Sequence, residues 1–232
     1  MKKWILILLT MVGILLFHDT AYADSPLTST DFNKAYSDIG LVTKASDTGI
    51  MDEEIAAYLR DEANPIDVKA AIINALSWGP EDKDNAQIYS KLAYDATLDE
   101  LKIEELTGDQ QFCFGYLLAM DDYFDTVLAQ HYLKLAKTNM PESFTVAMIY
   151  GLVESMDLTY GSWEDHIKPV LEDTRLVTDM RQEAVDIITD YMILYAASTP
   201  KTGERMIWPY YVGGAIILLL GAALVTRKRN KK

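Results

Sequence analysis

Ala86-Gln87-Ile88-Tyr89-Ser90-Lys91-Leu92-Ala93 returns 43 residues later as Ala129-Gln130-His131-Tyr132-Leu133-Lys134-Leu135-Ala136, with Ala, Gln, Tyr, Lys, Leu and Ala in the same places. In each stretch the small and apolar residues recur three, four and seven positions apart, which lines one face of a helix. Each stretch is followed by a more apolar helix. Three such segments rhyme with one another: Ala71-Ile72-Ile73-Asn74-Ala75-Leu76, Cys113-Phe114-Gly115-Tyr116-Leu117-Leu118 and Ala147-Met148-Ile149-Tyr150-Gly151-Leu152 all begin small and end in Leu. An amphipathic helix paired with a mostly buried one, repeating at roughly 35 to 45 residues, is the pattern of stacked helical repeats. Close helix packing in an irregular bundle also selects small residues and Leu, so both architectures stay open. Antiparallel helix pairs are expected under either.

Outward from this echo the periodicity stays helical. Patterns begin near Asp31, Asp52, Pro65, Asn85, Asp109, Thr126, Glu142, Ser162 and Thr178, mostly at or beside residues that cap or open helices. Around Pro65 the apolar set Ile66, Ala70, Ile73 and Leu76 recurs at helical spacing, and Gly79-Pro80 ends the run. Further stops stand at Gly161 and at Thr199-Pro200. No alternating strand pair around a tight turn appears, and the expected class is all-α. Residues 64–78 resemble the second helix of a HEAT repeat, and the Ala-x-x-Tyr-x-x-Leu-Ala segments resemble tetratricopeptide helices. Those resemblances imply a solenoid-like array of helix pairs.

Both ends of the chain are apolar. Lys2 and Lys3 precede the uncharged stretch 4–17, and Ala21-Tyr22-Ala23 supplies a small-x-small site, so cleavage of a signal peptide is expected between Ala23 and Asp24. A retained N-terminal anchor is the alternative, although 14 residues span a bilayer poorly. Residues 207–225 form a run of 19 without a charge, close to the roughly 20 that cross a hydrocarbon core as a helix. Trp208, Tyr210 and Tyr211 stand at its front edge, and Arg227, Lys228, Arg229, Lys231 and Lys232 follow it. Positive charge stays cytoplasmic, which places the C-terminus inside and residues 24–203 outside.

Thr199-Pro200-Lys201-Thr202-Gly203, the apolar span and the basic stop together resemble the cell-wall sorting signal of Gram-positive surface proteins, the Leu-Pro-x-Thr-Gly motif read by sortases. Pro200, Thr202 and Gly203 match it, and Thr199 stands where the family has Leu. The resemblance implies cleavage between Thr202 and Gly203, sortase as processing partner and peptidoglycan as the attachment point of Thr202. An ordinary single-pass type I anchor with a Pro/Gly/Thr linker is the alternative. The expected organisation is a signal peptide (1–23), an extracytoplasmic helical domain (24–198), a sorting-motif linker (199–205), a transmembrane helix (206–226) and a basic cytoplasmic tail (227–232). The expected location is the outer face of a Gram-positive-type envelope.

Between Asp24 and Gly203 stand 13 Lys and Arg against 33 Asp and Glu, a net charge of −20. That surface excludes nucleic acid, whose phosphates need a positive footprint. A basic protein, a cationic peptide or divalent cations suit it, as does plain solubility. Cys113, the single cysteine, lies in an apolar run and reads as a buried thiol. His131 replaces Ile88 in the echo and reads as a half-buried structural residue. Asp82-Lys83-Asp84-Asn85 starts like a calcium loop, yet its sixth and twelfth positions are Gln87 and Ala93, so it fails. Asp121, Asp122 and Asp125, or Asp52-Glu53-Glu54, or Asp99-Glu100 with Glu104-Glu105, read as helix termini and solvated faces before cation ligands. No catalytic, cofactor or metal residue set is expected.

The composition therefore points to an exported helical module that binds a protein or peptide. An envelope hydrolase with a carboxylate pair, or an accessory subunit of a membrane complex, are the alternatives. A pocket holding two carboxylates of raised pKa would favour the hydrolase.

Overall fold

Asp52 opens a helix by accepting a hydrogen bond from the Ile55 N–H at 3.0 Å, and Ser143 does the same for Val146 at 3.2 Å. Thr107 and Gln110 form a reciprocal capping box. The computed structural model describes residues 25–77, 83–156 and 163–198, with the last four as backbone alone. The expected signal peptide and its expected cleavage site, Thr199 to Gly203, the apolar run and the basic tail lie outside the described residues.

Among the described residues there are nine α-helices and no strand. They are α1 (Gly40–Thr48), α2 (Glu53–Arg60), α3 (Ile66–Leu76), α4 (Asn85–Tyr94), α5 (Gly108–Asp121), α6 (Val127–Asn139), α7 (Phe144–Glu154), α8 (Lys168–Glu172) and α9 (Gln182–Ser198). Short 3-10 turns add Phe32–Tyr36, Leu98–Glu100 and Ile103–Glu105, and a π turn, Trp163–Ile167, leads into α8. The class is all-α as expected. No described helix is long and apolar enough to cross a membrane.

The expected openings at Asp52, Pro65, Asn85, Asp109 and Thr126 coincide with helix starts to within a residue. Near Asp31 the structure differs. Only a 3-10 turn forms there, and the α-helix waits until Gly40. The Phe32 and Tyr36 side chains are fully buried, so this segment is held by packing rather than by helix length.

The rhyming apolar segments are the buried helices. α3, α5 and α7 are covered on nearly every side, whereas α4 and α6, the echo pair, bury one face each. In that face Ala86, Tyr89, Ser90 and Ala93 of α4 correspond to Ala129, Tyr132, Leu133 and Ala136 of α6. Both faces meet α5, and both tyrosines approach the same ring: Phe114 lies 4.8 Å from Tyr89 and 6.1 Å from Tyr132. The pairing of α5 with α6 is antiparallel. A Cβ on Gly108 would meet Met140, and one on Gly115 would meet the Leu133 side chain at 2.7 Å and its backbone N at 3.0 Å. Gly115 thus sets how closely the two helices approach, since any side chain there pushes against backbone.

Polar contacts fix the direction of the remaining helices. Lys69 pairs with Asp109 near the N-termini of α3 and α5, and Asn74 bonds Tyr116 further along, so these two run parallel. Asp121, at the end of α5, accepts from the Ala86 N–H at the start of α4. The chain closes on itself at the other end. Tyr36 donates to Asp67 and accepts from the Arg181 N–H, while the Arg181 guanidinium bonds the Ala35 carbonyl and pairs with Asp38. From there α9 runs back along Phe32–Tyr36 and past Trp163–Ile167.

Candidate functional site

Gly151 in α7 lines an open groove among the described residues. Without a Cβ it lets the His166 carbonyl approach, where a Cβ would stand 2.7 Å from that oxygen. The Trp163–Ile167 turn therefore lies against α7. A second tie lies at the start of α7: Val177 donates to the Glu142 carbonyl at 2.7 Å, and Asp179 accepts from Ser143 Oγ and the Thr145 N–H at 2.6 and 2.7 Å. Between these ties, α6, α7 and residues 165–176 leave an open groove of about 950 Å³.

The groove floor is Ala147, Gly151, Val170 and Leu176. Its walls carry five carboxylates, Glu142, Glu154, Asp165, Glu172 and Asp173, against two cations, Lys137 and Arg175. Arg175 is already engaged, because it grips Asp173 with two hydrogen bonds of 2.8 and 2.7 Å. That guanidinium holds the Asp173 carboxyl down at about 2. His166 Nδ1 lies 3.4 Å from Glu154 Oε2, and its Nε2 is buried without a hydrogen-bond partner among the described residues. Lys137 Nζ sits 5.1 Å from the centre of the Tyr150 ring. Burial, followed by the hydrogen-bonded Glu154, pushes the Tyr150 hydroxyl up, so it stays protonated.

Two carboxyls among the described residues are held above their ordinary range, and both lie outside the groove. Burial raises Asp109, with Lys69 opposing it. Burial also pushes Asp121 up to about 6, against backbone N–H groups of Ala86 and Asn85. These acids occupy opposite ends of α5, roughly 18 Å apart at the helical rise per residue. Glycoside hydrolysis needs a pair within about 5 to 9.5 Å. The upward-shifted acids thus form no such pair.

The sequence candidates fall mostly into structural roles. Asp122 accepts from the Phe124 and Asp125 N–H groups and Asp125 from Val127, so the triplet with Asp121 builds a turn and two helix starts. Asp52 caps α2 and shares Lys44 with Glu54. Cys113 is fully buried, with its thiol pushed up chiefly by burial. His131 is exposed rather than half-buried, because in α6 its position faces away from α5. Among the described residues no group of three His, Cys, Asp or Glu is placed to hold a metal ion. The groove was not legible beforehand: its walls come from three segments, and the nearest signal was Glu164-Asp165-His166.

Asp121 offers a test of these electrostatics. Its folded value lies above that of an unfolded Asp, so the native state holds an extra proton between about pH 4 and 6 and stability falls as pH rises through that window. Asp121→Asn should flatten this slope and raise stability at neutral pH by about 1–3 kcal/mol, read from urea midpoints across the window. An unchanged slope would refute the assignment.

No family model, curated protein or solved structure matches the chain.

Proposed function

We propose that the helical domain is a surface-displayed interaction module whose groove between α6, α7 and residues 165–176 binds a Lys- or Arg-bearing peptide segment. The observation that carries this reading is the excess of carboxylates on the groove walls, five against two cations, above an apolar floor. A cationic side chain gains from the carboxylates, while its aliphatic stem covers Val170 and Leu176. The domain's net charge steers such a ligand towards it. We read the fold as a closed bundle of helix pairs rather than an open array, since α9 packs back on Phe32–Tyr36.

Capture of Lys/Arg-rich peptides by residues 24–198, compared at low and moderate salt, tests the reading. Binding should weaken with salt and fall at least tenfold in Glu142→Gln/Glu154→Gln/Glu172→Gln, about 1.4 kcal/mol. Capture that survives this triple change, or none at either salt, would defeat it.

Display is the other half of the proposal. The N-terminal segment exports the domain, and the C-terminal region anchors it, either to peptidoglycan through Thr202 by sortase or to the membrane by residues 206–226. Fractionation of cells with and without sortase, with mass spectrometry of the mature C-terminus, separates the two anchors. A terminus at Thr202 bearing cell-wall peptide supports sorting; intact Arg227 to Lys232 in both strains leaves the membrane anchor alone.

A further inference from the structure

We propose that one end of the bundle, the end carrying the α5–α6 corner, rests on the lipid bilayer with Phe124, Val127 and Leu128 set into its interfacial layer. The inference rests on the membrane-anchor branch of the reading above, in which residues 206–226 stay attached, and adds a second, apolar contact to it.

Both exits of the described chain lie at this end. Ser25 Oγ stands 3.0 Å from Met156 Sδ, just beyond the C-terminus of α7. At the other exit, α9 starts from Arg181 beside Tyr36 at the far end and runs back past Trp163–Ile167 to Ser198. The apolar stretch 207–225 is therefore attached to this end of the bundle, from which the N-terminal segment also leaves. Only residues 199–206 separate Ser198 from that stretch, a tether of about 30 Å at full extension. A domain on that leash stays within reach of the surface its tether enters.

The same end presents apolar side chains that no described residue covers. Phe124 is 84% exposed, Val127 77% and Leu128 50%, although three neighbouring large apolar residues are rarely left in water without a purpose. On the outer face of α9, Ile193 and Leu194 are exposed as well. The corner is also built to hold its shape. Asp122 accepts from the Phe124 and Asp125 N–H groups at 3.0 and 3.2 Å, and the Tyr123 ring lies 4.2 Å from that of Phe124. The knob is thus set before contact, so insertion costs little ordering.

Charge decides the kind of lipid. Asp122 and Asp125 stand in the corner and Asp84 lies near Asp121 at its start, so anionic headgroups repel it and the contact depends on apolar insertion. It should accordingly be insensitive to salt and no stronger on anionic than on zwitterionic vesicles.

The full-length chain, carrying an environment-sensitive fluorophore at Asp125→Cys or, at the far end, at Lys102→Cys, tests this in phosphatidylcholine vesicles containing a spin-labelled lipid. Cys113 is fully buried and stays unlabelled. The probe at 125 should be quenched equally in low and high salt, the probe at 102 should not, and Phe124→Ser/Leu128→Ser should abolish the quenching. If the protein floats with the vesicles yet the probe at 125 stays unquenched, the docking proposal fails while the anchor stands. A probe at 125 that stays unquenched but changes its emission on dilution into excess lipid assigns the corner to a second copy and overturns the proposal. A protein that does not float defeats the anchor reading and this one with it.

Discussion

Lys69→Met is expected to lower the unfolding free energy by about 3–5 kcal/mol, because it leaves a buried carboxylate without its partner. The Lys69 side chain is fully enclosed and its ammonium pairs with Asp109, whose side chain is 11% exposed. Removing both charges should cost far less than removing one. Lys69→Met/Asp109→Leu should therefore recover most of the loss, since an apolar pair of similar volume escapes the desolvation penalty. The single variant carries a pH signature too. Burial already raises the Asp109 carboxyl, and without Lys69 it rises further, so the native state takes up a proton that the unfolded chain releases. The penalty grows as pH rises from about 4 and shrinks again towards acid, where the group is protonated in both states. Urea unfolding of residues 24–198 at acid and neutral pH reads both effects; at neutral pH the melting temperature should drop by on the order of 10 °C. Equal losses in the single and double variants would show that the pair is not what holds α3 to α5.

Phe114→Ala is expected to cost about 3–5 kcal/mol, the range for truncating a buried aromatic in a core that cannot collapse around the gap. Its ring lies 4.8 Å from Tyr89, 5.7 Å from Tyr94 and 6.1 Å from Tyr132. Helices from either side therefore lose a contact at once. Phe114→Leu should cost less, because it keeps most of the volume. A double-mutant cycle between Phe114→Ala and Tyr89→Phe isolates the polar share, since Tyr89 also places its hydroxyl 3.3 Å from that of Tyr94. A loss under about 1 kcal/mol for Phe114→Ala would mean that α4 and α6 are held to α5 by other contacts.

These two side chains differ in how far they could be read beforehand. Phe114 stands in a segment whose small-first, Leu-last pattern already marks a buried helix, and the tyrosines that meet it occupy the same place in two repeated octets. Lys69 gave no such warning. A lysine in the first turns of an amphipathic helix reads as solvated, and only the arrival of Asp109 from 40 residues away makes its burial tolerable. His131 erred in the other direction, because equivalence with Ile88 says which face a residue shares but not whether a neighbour covers that face. Ile88 itself is 40% exposed.

Most helix positions, the all-α class, the buried identity of α3, α5 and α7 and the acidic balance follow from local spacing, caps and composition, which act within a few residues and need no knowledge of the partner. The groove under Gly151, the ion pair between Lys69 and Asp109, the raised carboxyl of Asp121 and the exposed corner at Phe124 belong to the tertiary structure. Each depends on which distant segment arrives at a given surface, and burial, the quantity that sets their chemistry, exists only after those segments have packed.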